Sequence, residues 1–388
     1  MKIHSVEASW LQVPIPEEMR HTSSYGRAAA FDTVLIRVQT ECGLVGHGEG
    51  KSSVFTASDN HALVRMVESE FGPFLVGKDP RAISRLWDEM YNGTRAEFAV
   101  QHGRAFPVLG RRGISLAAIS GIDIACWDIL GQSLGVPIWQ LLGGKRRDRM
   151  PAYASGGWAG ADKIGAQLLG YCERGGFKAV KMRIGVADGG VAASVRRVQA
   201  AREALGPKIE IMCDAHGTMN VPEAKRFCRL VADCDISWLE EPVGPDNKRG
   251  MAEVRASTDI AIAAGESEVT RFEFRDLILA GAVDILQPDL AIVGGITEAQ
   301  RIEALCSAHQ LRFAPHIWGG APSFAAGVHV AAAASSAFIL EYSLGANPML
   351  HELAQESFPV EDGQVVIPDR PGLGISMNEE FIRRYRIN

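Results

Sequence analysis

Between about residue 150 and residue 342 the chain repeats one unit, a short apolar run followed by a helical segment. The runs fall at 152–155, 179–184, 210–214, 237–241, 261–266, 283–288, 312–316 and 338–342. Parallel strands joined by helical crossovers need cover on both faces, so this rhythm constrains the fold more than any other feature. Eight such strands predict a (β/α) barrel of the TIM type. Residues 1 to about 125 read differently: strand signals at 3–13 and 33–40 accompany helical stretches near 57–75 and 83–92, the pattern of a small α+β domain. The tail after 357 has turn signals but no ninth barrel unit. The expected division is therefore an α+β domain at 1–125, completed by 358–388, and a barrel domain at 126–357. The segment 121–144, GIDIACWDILGQSLGVPIWQLLGG, places Ile122, Ala125, Cys126 and Ile129 at helical spacing before glycines that can end a helix, and reads as packing between the two.

Three of the predicted strands end in a carboxylate: Asp214, Glu240 and Glu266. The intervals are equal, 240 − 214 = 26 and 266 − 240 = 26, one βα unit each. Adjacent strands would therefore present three acids side by side at the C-terminal rim, where barrel active sites are built. Three acids aimed at one point repel unless a hard cation neutralises them, and all-oxygen ligation selects Mg2+ or Mn2+ over Zn2+. The same rim supplies Lys181 and Arg183, an i, i+2 pair sharing one strand face, then Asp289, His316 and Glu341. Asp289 and His316 are 27 residues apart (316 − 289 = 27), and a carboxylate beside an imidazole makes a general base near neutral pH.

Composition removes other classes. The net charge is −6 with no basic stripe, which argues against nucleic acid. Seven cysteines without a C-x-x-C spacing fit reduced, buried thiols, so a reducing, cytoplasmic setting is expected. The first residues alternate polar and apolar like a strand rather than a signal peptide, and the apolar run 324–340 reads as a barrel helix rather than a membrane span. Gly50-Lys51-Ser52 ends like a phosphate loop, but Val45 stands where that motif needs its first glycine. With G-x-G-x-x-G also absent after a strand, neither a nucleotide nor a dinucleotide cofactor is expected.

The 121–144 segment and the strand-end set Lys181, Asp214, Glu240, Glu266, Asp289, His316 and Glu341 together resemble the enolase superfamily, and within it the mandelate racemase-like subgroup. The likeness runs nearly the whole chain. It implies an α+β capping domain on a (β/α)7β barrel, with Asp214, Glu240 and Glu266 holding Mg2+. It further implies Lys181 on the substrate carboxylate, His316 with Asp289 as base, and Glu341 as the eighth-strand acid, which donates a hydrogen bond if its surroundings keep it protonated. That superfamily is known for a Lys or His base working with Mg2+ on an enediolate.

Two departures narrow the reaction. Where racemases of the family carry a second basic lysine, this chain has Arg183, which does not deprotonate and is a poor base. No lysine follows Lys248, which excludes a lysine base on strand six and leaves His316. His216, two residues after Asp214, resembles the Asp-x-His pairing of some sugar-acid dehydratases, where the histidine protonates the departing hydroxyl; its alternative role is a hydrogen-bonding neighbour of the metal. The expected reaction is loss of water from a sugar acid to a 2-keto-3-deoxy acid. An epimerase or sugar-lactone cycloisomerase is the second reading, and a barrel that binds metal without turnover the third. The expected partner is a small-molecule carboxylate, a homo-oligomer is expected, and specificity is assigned to mobile loops at 17–25 and 47–53 of the capping domain.

Overall fold

Three long strands open the chain: β1 (Ile3–Pro14), β2 (Ala30–Thr40) and β3 (Val45–Gly50), antiparallel in the order β1-β2-β3. A computed structural model describes residues 1–24, 26–53, 59–93, 98, 101–103, 110–345 and 347–387. In β3 every second residue is glycine, and a Cβ on Gly46 or Gly48 would stand 2.1 Å from the Ala125 carbonyl oxygen or 1.9 Å from that of Gly121. Only glycine lets α1 (Ile114–Leu134) lie this close to the strand. That helix ends at Gly135, whose φ of +71° is the left-handed conformation a helix stop favours. Its length and apolarity would suit a membrane span, but 78% of its most apolar window is buried inside the protein.

Strand alternation also turns His47, Glu49 and Lys51 away from α1, towards the barrel. The mobile loop expected at 47–53 is therefore corrected: His47 to Gly50 is paired to β2 from end to end, because the glycine-rich face is a packing surface rather than a loop signal. In the other expected loop Tyr25 lies outside the described residues, as do residues 57 and 58 of the first helical stretch. That stretch is helical at His61–Met66 and Gly72–Leu75, and the second is the helix Ile83–Asn92.

The barrel strands are β4 (Arg149–Gly156), β5 (Ala179–Arg183), β6 (Glu210–Asp214), β7 (Ile236–Glu240), β8 (Ala261–Ala264), β9 (Ile285–Leu286), β10 (Arg312–Phe313) and β11 (Leu340–Ser343). Each neighbouring pair from β4 to β10 is parallel, β11 pairs with β4, and a Phe313–Ala337 bridge closes the ring. A helix follows each of the first seven strands, giving (β/α)7β. The eight strand regions each send one side chain into an apolar layer: Tyr153, Ala179, Met212, Trp238, Ala263, Ile285, Ala314 and Ile339. Alanines set between larger residues fill the taper of a small barrel. After 357 the chain pairs antiparallel with β4 through Gln364–Val366, and then returns to β1, where the Ile387 amide donates to the Trp10 carbonyl at 2.8 Å.

Candidate active site

Side chains alternate along a strand, so two residues beyond the apolar layer the same inward face is presented again. There it is polar: Tyr153 is followed by Ser155, Ala179 by Lys181, Met212 by Asp214, Trp238 by Glu240, Ala314 by His316 and Ile339 by Glu341. Glu266 lies just past β8. The carboxylates of Asp214, Glu240 and Glu266 each bring an oxygen within 4.8 Å of the other two, all three buried. Strand order puts Glu240 in the middle.

The cations of the rim lie against these acids. Lys181 Nζ donates to Glu240 Oε1 at 2.7 Å and Oε2 at 2.8 Å, and stands 3.1 Å from Glu341 Oε1. Arg183 Nη1 donates to Asp214 Oδ2. His316 Nδ1 is 2.8 Å from Asp289 Oδ2, and its Nε2 is 3.4 Å from Glu266 Oε2. The carboxylates of Asp214, Glu240, Glu266, Asp289 and Glu341 thus crowd one buried mouth with Lys181, Arg183, His316 and His216 among them. Burial pushes the Glu266 carboxyl well up, and Glu241, Asp214 and Glu240 add to it against the pull of His316. Three buried carboxylates whose oxygens lie within 4.8 Å of one another mark a site that a hard cation would complete, and an oxygen-only donor set fits magnesium.

The His316 ring is held from one side. Although burial alone would lower it, His316 is pushed up to about 9, first by Glu266, then by Glu341 and Asp289. The charges around Glu341 work against the protonated form. Burial favours its neutral form, but Lys181, His316 and Arg183 outweigh that and hold it well below the usual range. It accepts hydrogen bonds from Ser155 Oγ at 2.6 Å and from the Ile317 amide at 3.0 Å, the geometry of a carboxylate acceptor.

His216 follows β6 with φ of +47°, a left-handed conformation that is uncommon outside glycine. Its amide donates to Asp214 Oδ1 at 2.9 Å, and Nε2 lies 3.1 Å from Asp214 Oδ2. The turn thus brings the imidazole back onto the metal-binding acid rather than out into solvent. His216 lines a cavity of about 420 Å³ that reaches Lys51 and Glu241. A second cavity, of about 510 Å³, opens on the far side over Arg183, Trp158 and the 18–24 stretch of the capping domain. There His21 stacks on Trp158 with ring centroids 3.9 Å apart, and burial first, then Arg183 and His216, lowers it to about 4.

Every rim residue named from the sequence lies at this one mouth: Lys181, Arg183, Asp214, His216, Glu240, Glu266, Asp289, His316 and Glu341. Ser155 and Trp238 were not among them, and Glu49 and Lys51 entered only as part of the 47–53 segment assigned to specificity. Ser155 and Trp238, whose Nε1 donates to Glu240 Oε2 at 3.1 Å, obey the same alternation and could have been found by it. Glu49 and Lys51 carry no such signal, because the loops they touch are more than 200 residues away in sequence.

Two family descriptions match. "Enolase C-terminal domain-like" covers residues 163–381, and "Mandelate racemase / muconate lactonizing enzyme, N-terminal domain" covers residues 6–143. The chain is similar to the D-galactarolactone cycloisomerase of Agrobacterium fabrum, 36% identical over 366 residues that make up 91% of each chain. It is similar as well to the D-galactonate dehydratase of Xanthomonas euvesicatoria pv. vesicatoria, 35% identical over 375 residues, 93% of this chain and 92% of that one. Among solved structures it is similar to an enolase from Bradyrhizobium complexed with magnesium and mandelic acid. That likeness has a TM-score of 0.84 at 32% identity and covers 100% of this chain and 99% of the other.

Proposed function

The chain belongs to the mandelate racemase/muconate lactonizing subgroup of the enolase superfamily, and on that premise we propose that it is a Mg2+-dependent acid-sugar dehydratase. One observation carries the choice of reaction. Each outer acid of the Asp214, Glu240, Glu266 row has an imidazole against it, His216 on Asp214 and His316 on Glu266. β-Elimination needs a base for the α proton and an acid for the leaving group, and this arrangement offers one candidate for each.

Asp214, Glu240 and Glu266 would hold Mg2+, which would supply positive charge where the substrate carboxylate gains its second negative charge. Lys181 binds the same carboxylate and is buried beside it, so its charge acts in a low dielectric. His316, in the form with Nε2 deprotonated, takes the α proton there while Asp289 holds Nδ1. His216 gives a proton to the β-hydroxyl as its C–O bond breaks, water leaves, and the enol that remains becomes the 2-keto-3-deoxy acid. Arg183 cannot serve as an opposite-face base, so racemisation by two bases is disfavoured. The substrate is a small sugar acid, a class that includes the substrate of the galactonate dehydratase relative.

A second reading has support of its own in the likeness to a lactone cycloisomerase. Proton removal by His316 would serve that reaction equally, with His216 then a neighbour of the metal. Incubation of the Mg2+-loaded protein with a panel of aldonic and aldaric acids and their lactones separates the readings. A 2-keto product lighter by one water supports the dehydratase, and an isomer of equal mass supports the cycloisomerase. No exchange of any α proton with deuterated water would reject both and leave a metal-binding barrel without turnover.

A further inference from the structure

Lys51 follows β3 on the face turned towards the barrel and is 4% exposed. It is tied to the loops behind both members of the His316–Asp289 pair: its amide donates to the Ala291 carbonyl at 3.1 Å and its Nζ to the Trp318 carbonyl at 2.6 Å. An ammonium has three N–H donors. Among the described residues no carboxylate lies within ion-pair distance of this one, whereas the other acid-rich contacts of the mouth are paired. A buried cation without a counter-ion is costly to keep. Lys51 lines the cavity of about 420 Å³ that also meets Ser52, Ser53, His216, Glu241 and Ser267. On its wall Glu241, 1% exposed, has an Oε1 without a hydrogen-bond partner among the described residues. Glu241 follows β7 and Lys51 is anchored above β9 and β10, two to three strands further round the ring, and no ion pair joins the two among the described residues.

From this geometry we propose that the cavity is the subsite for the far end of the substrate, and that this end is a second carboxylate paired with Lys51. The unpartnered Glu241 oxygen accepts from a hydroxyl along the carbon chain. The substrate is then an aldaric acid, a polyhydroxy dicarboxylate, rather than an aldonic acid ending in a hydroxymethyl group. This assignment rests on the reading of the chain as an acid-sugar enzyme, but concerns which acid is bound rather than what is done to it.

The test is calorimetric binding to the full-length, Mg2+-loaded protein, using six-carbon aldaric acids and the aldonic acids of the same configurations. Wild type binds the preferred aldaric acid roughly 10- to 100-fold more tightly than its aldonic partner, the range expected for a hydrogen bond between charged groups. In Lys51→Met that ratio falls towards one, and in Lys51→Arg, which keeps the charge, it survives. A wild-type preference for the aldonic member, or binding of neither, overturns the proposal. So does a Lys51→Met variant that weakens both ligands by one factor and leaves the ratio intact, because that is the signature of a purely structural tie to Trp318. Exchange of the α proton is followed separately: if wild type prefers the dicarboxylate yet exchanges no α proton, the dehydratase reading falls and the subsite stands.

Discussion

Asp289 Oδ2 lies 2.8 Å from His316 Nδ1, and the same two residues form a parallel β-bridge beyond the ends of their own short strands. The pair is thus fixed twice, by side chain and by backbone, and Nε2 alone is turned to the carboxylate row. His316→Asn is expected to abolish exchange of the substrate α proton with deuterated water. Asp289→Asn should leave the ring in place with the wrong tautomer and lower the exchange rate by about 10²- to 10⁴-fold. Mass spectrometry of recovered substrate reads both, and wild-type exchange in His316→Asn would remove this residue from the base role.

His216 separates dehydration from proton abstraction. His216→Asn is expected to stop water loss while substrate still exchanges its α proton through His316. Dehydration at the wild-type rate in this variant would take away the proposed acid and favour the cycloisomerase reading.

Glu240 occupies the middle of the carboxylate row and also receives Lys181. Glu240→Gln should weaken Mg2+ by more than the roughly 10- to 100-fold typical of groups that only support a ligand. Titration calorimetry with Mg2+ reads the affinity, and circular dichroism checks that the fold is kept. Unchanged metal binding would place the ion elsewhere.

Glu49 joins the capping sheet to the barrel. It is fully buried and accepts from Thr33 Oγ1 at 2.6 Å, the Gly320 amide at 2.8 Å and the Ser323 amide at 3.2 Å. Glu49→Ala leaves three buried donors unsatisfied and should cost about 3 kcal/mol or more of stability. Denaturant unfolding measures it, and a loss below about 1 kcal/mol would mean that water replaces the carboxylate.

His329 gives a pH dependence of stability. It is buried, its Nδ1 accepts from the Trp139 amide at 3.3 Å, its Nε2 lies 3.1 Å from the Leu373 carbonyl, and burial lowers it to about 4. Between pH 6.5 and 4 the unfolded chain binds the proton and the folded chain does not, so this residue's contribution is full above 6.5 and is lost as pH falls towards 4. The swing is roughly 3 kcal/mol at 1.36 kcal/mol per pH unit. The gap in melting temperature between wild type and His329→Gln should therefore narrow on acidification over that window. A gap that does not change with pH would show that His329 acts by packing alone.

Much of the site could be read in advance because it follows a period of two along strands and one residue set per βα unit. Asp214, Glu240 and Glu266 needed only their spacing, and Lys181 with Arg183 only their shared strand face. His47 to Gly50 is a paired strand rather than a loop, because its alternate glycines let α1 lie directly on it. The protonation of Glu341 could not be read in advance: whether a buried carboxyl keeps its proton depends on charges from other strands, here Lys181, His316 and Arg183.

Repetition in the chain by itself determined the barrel, its eight strands and the acids at their ends, since alternation and helical period are properties of neighbouring residues. Tertiary structure decided the rest: the pairing of Lys181 with Glu240, the return of His216 onto Asp214, and the reach of Glu49 and Lys51 to the loop behind His316. Those relationships join residues that only barrel closure and the docking of the capping sheet bring within hydrogen-bonding distance, and no local periodicity encodes them.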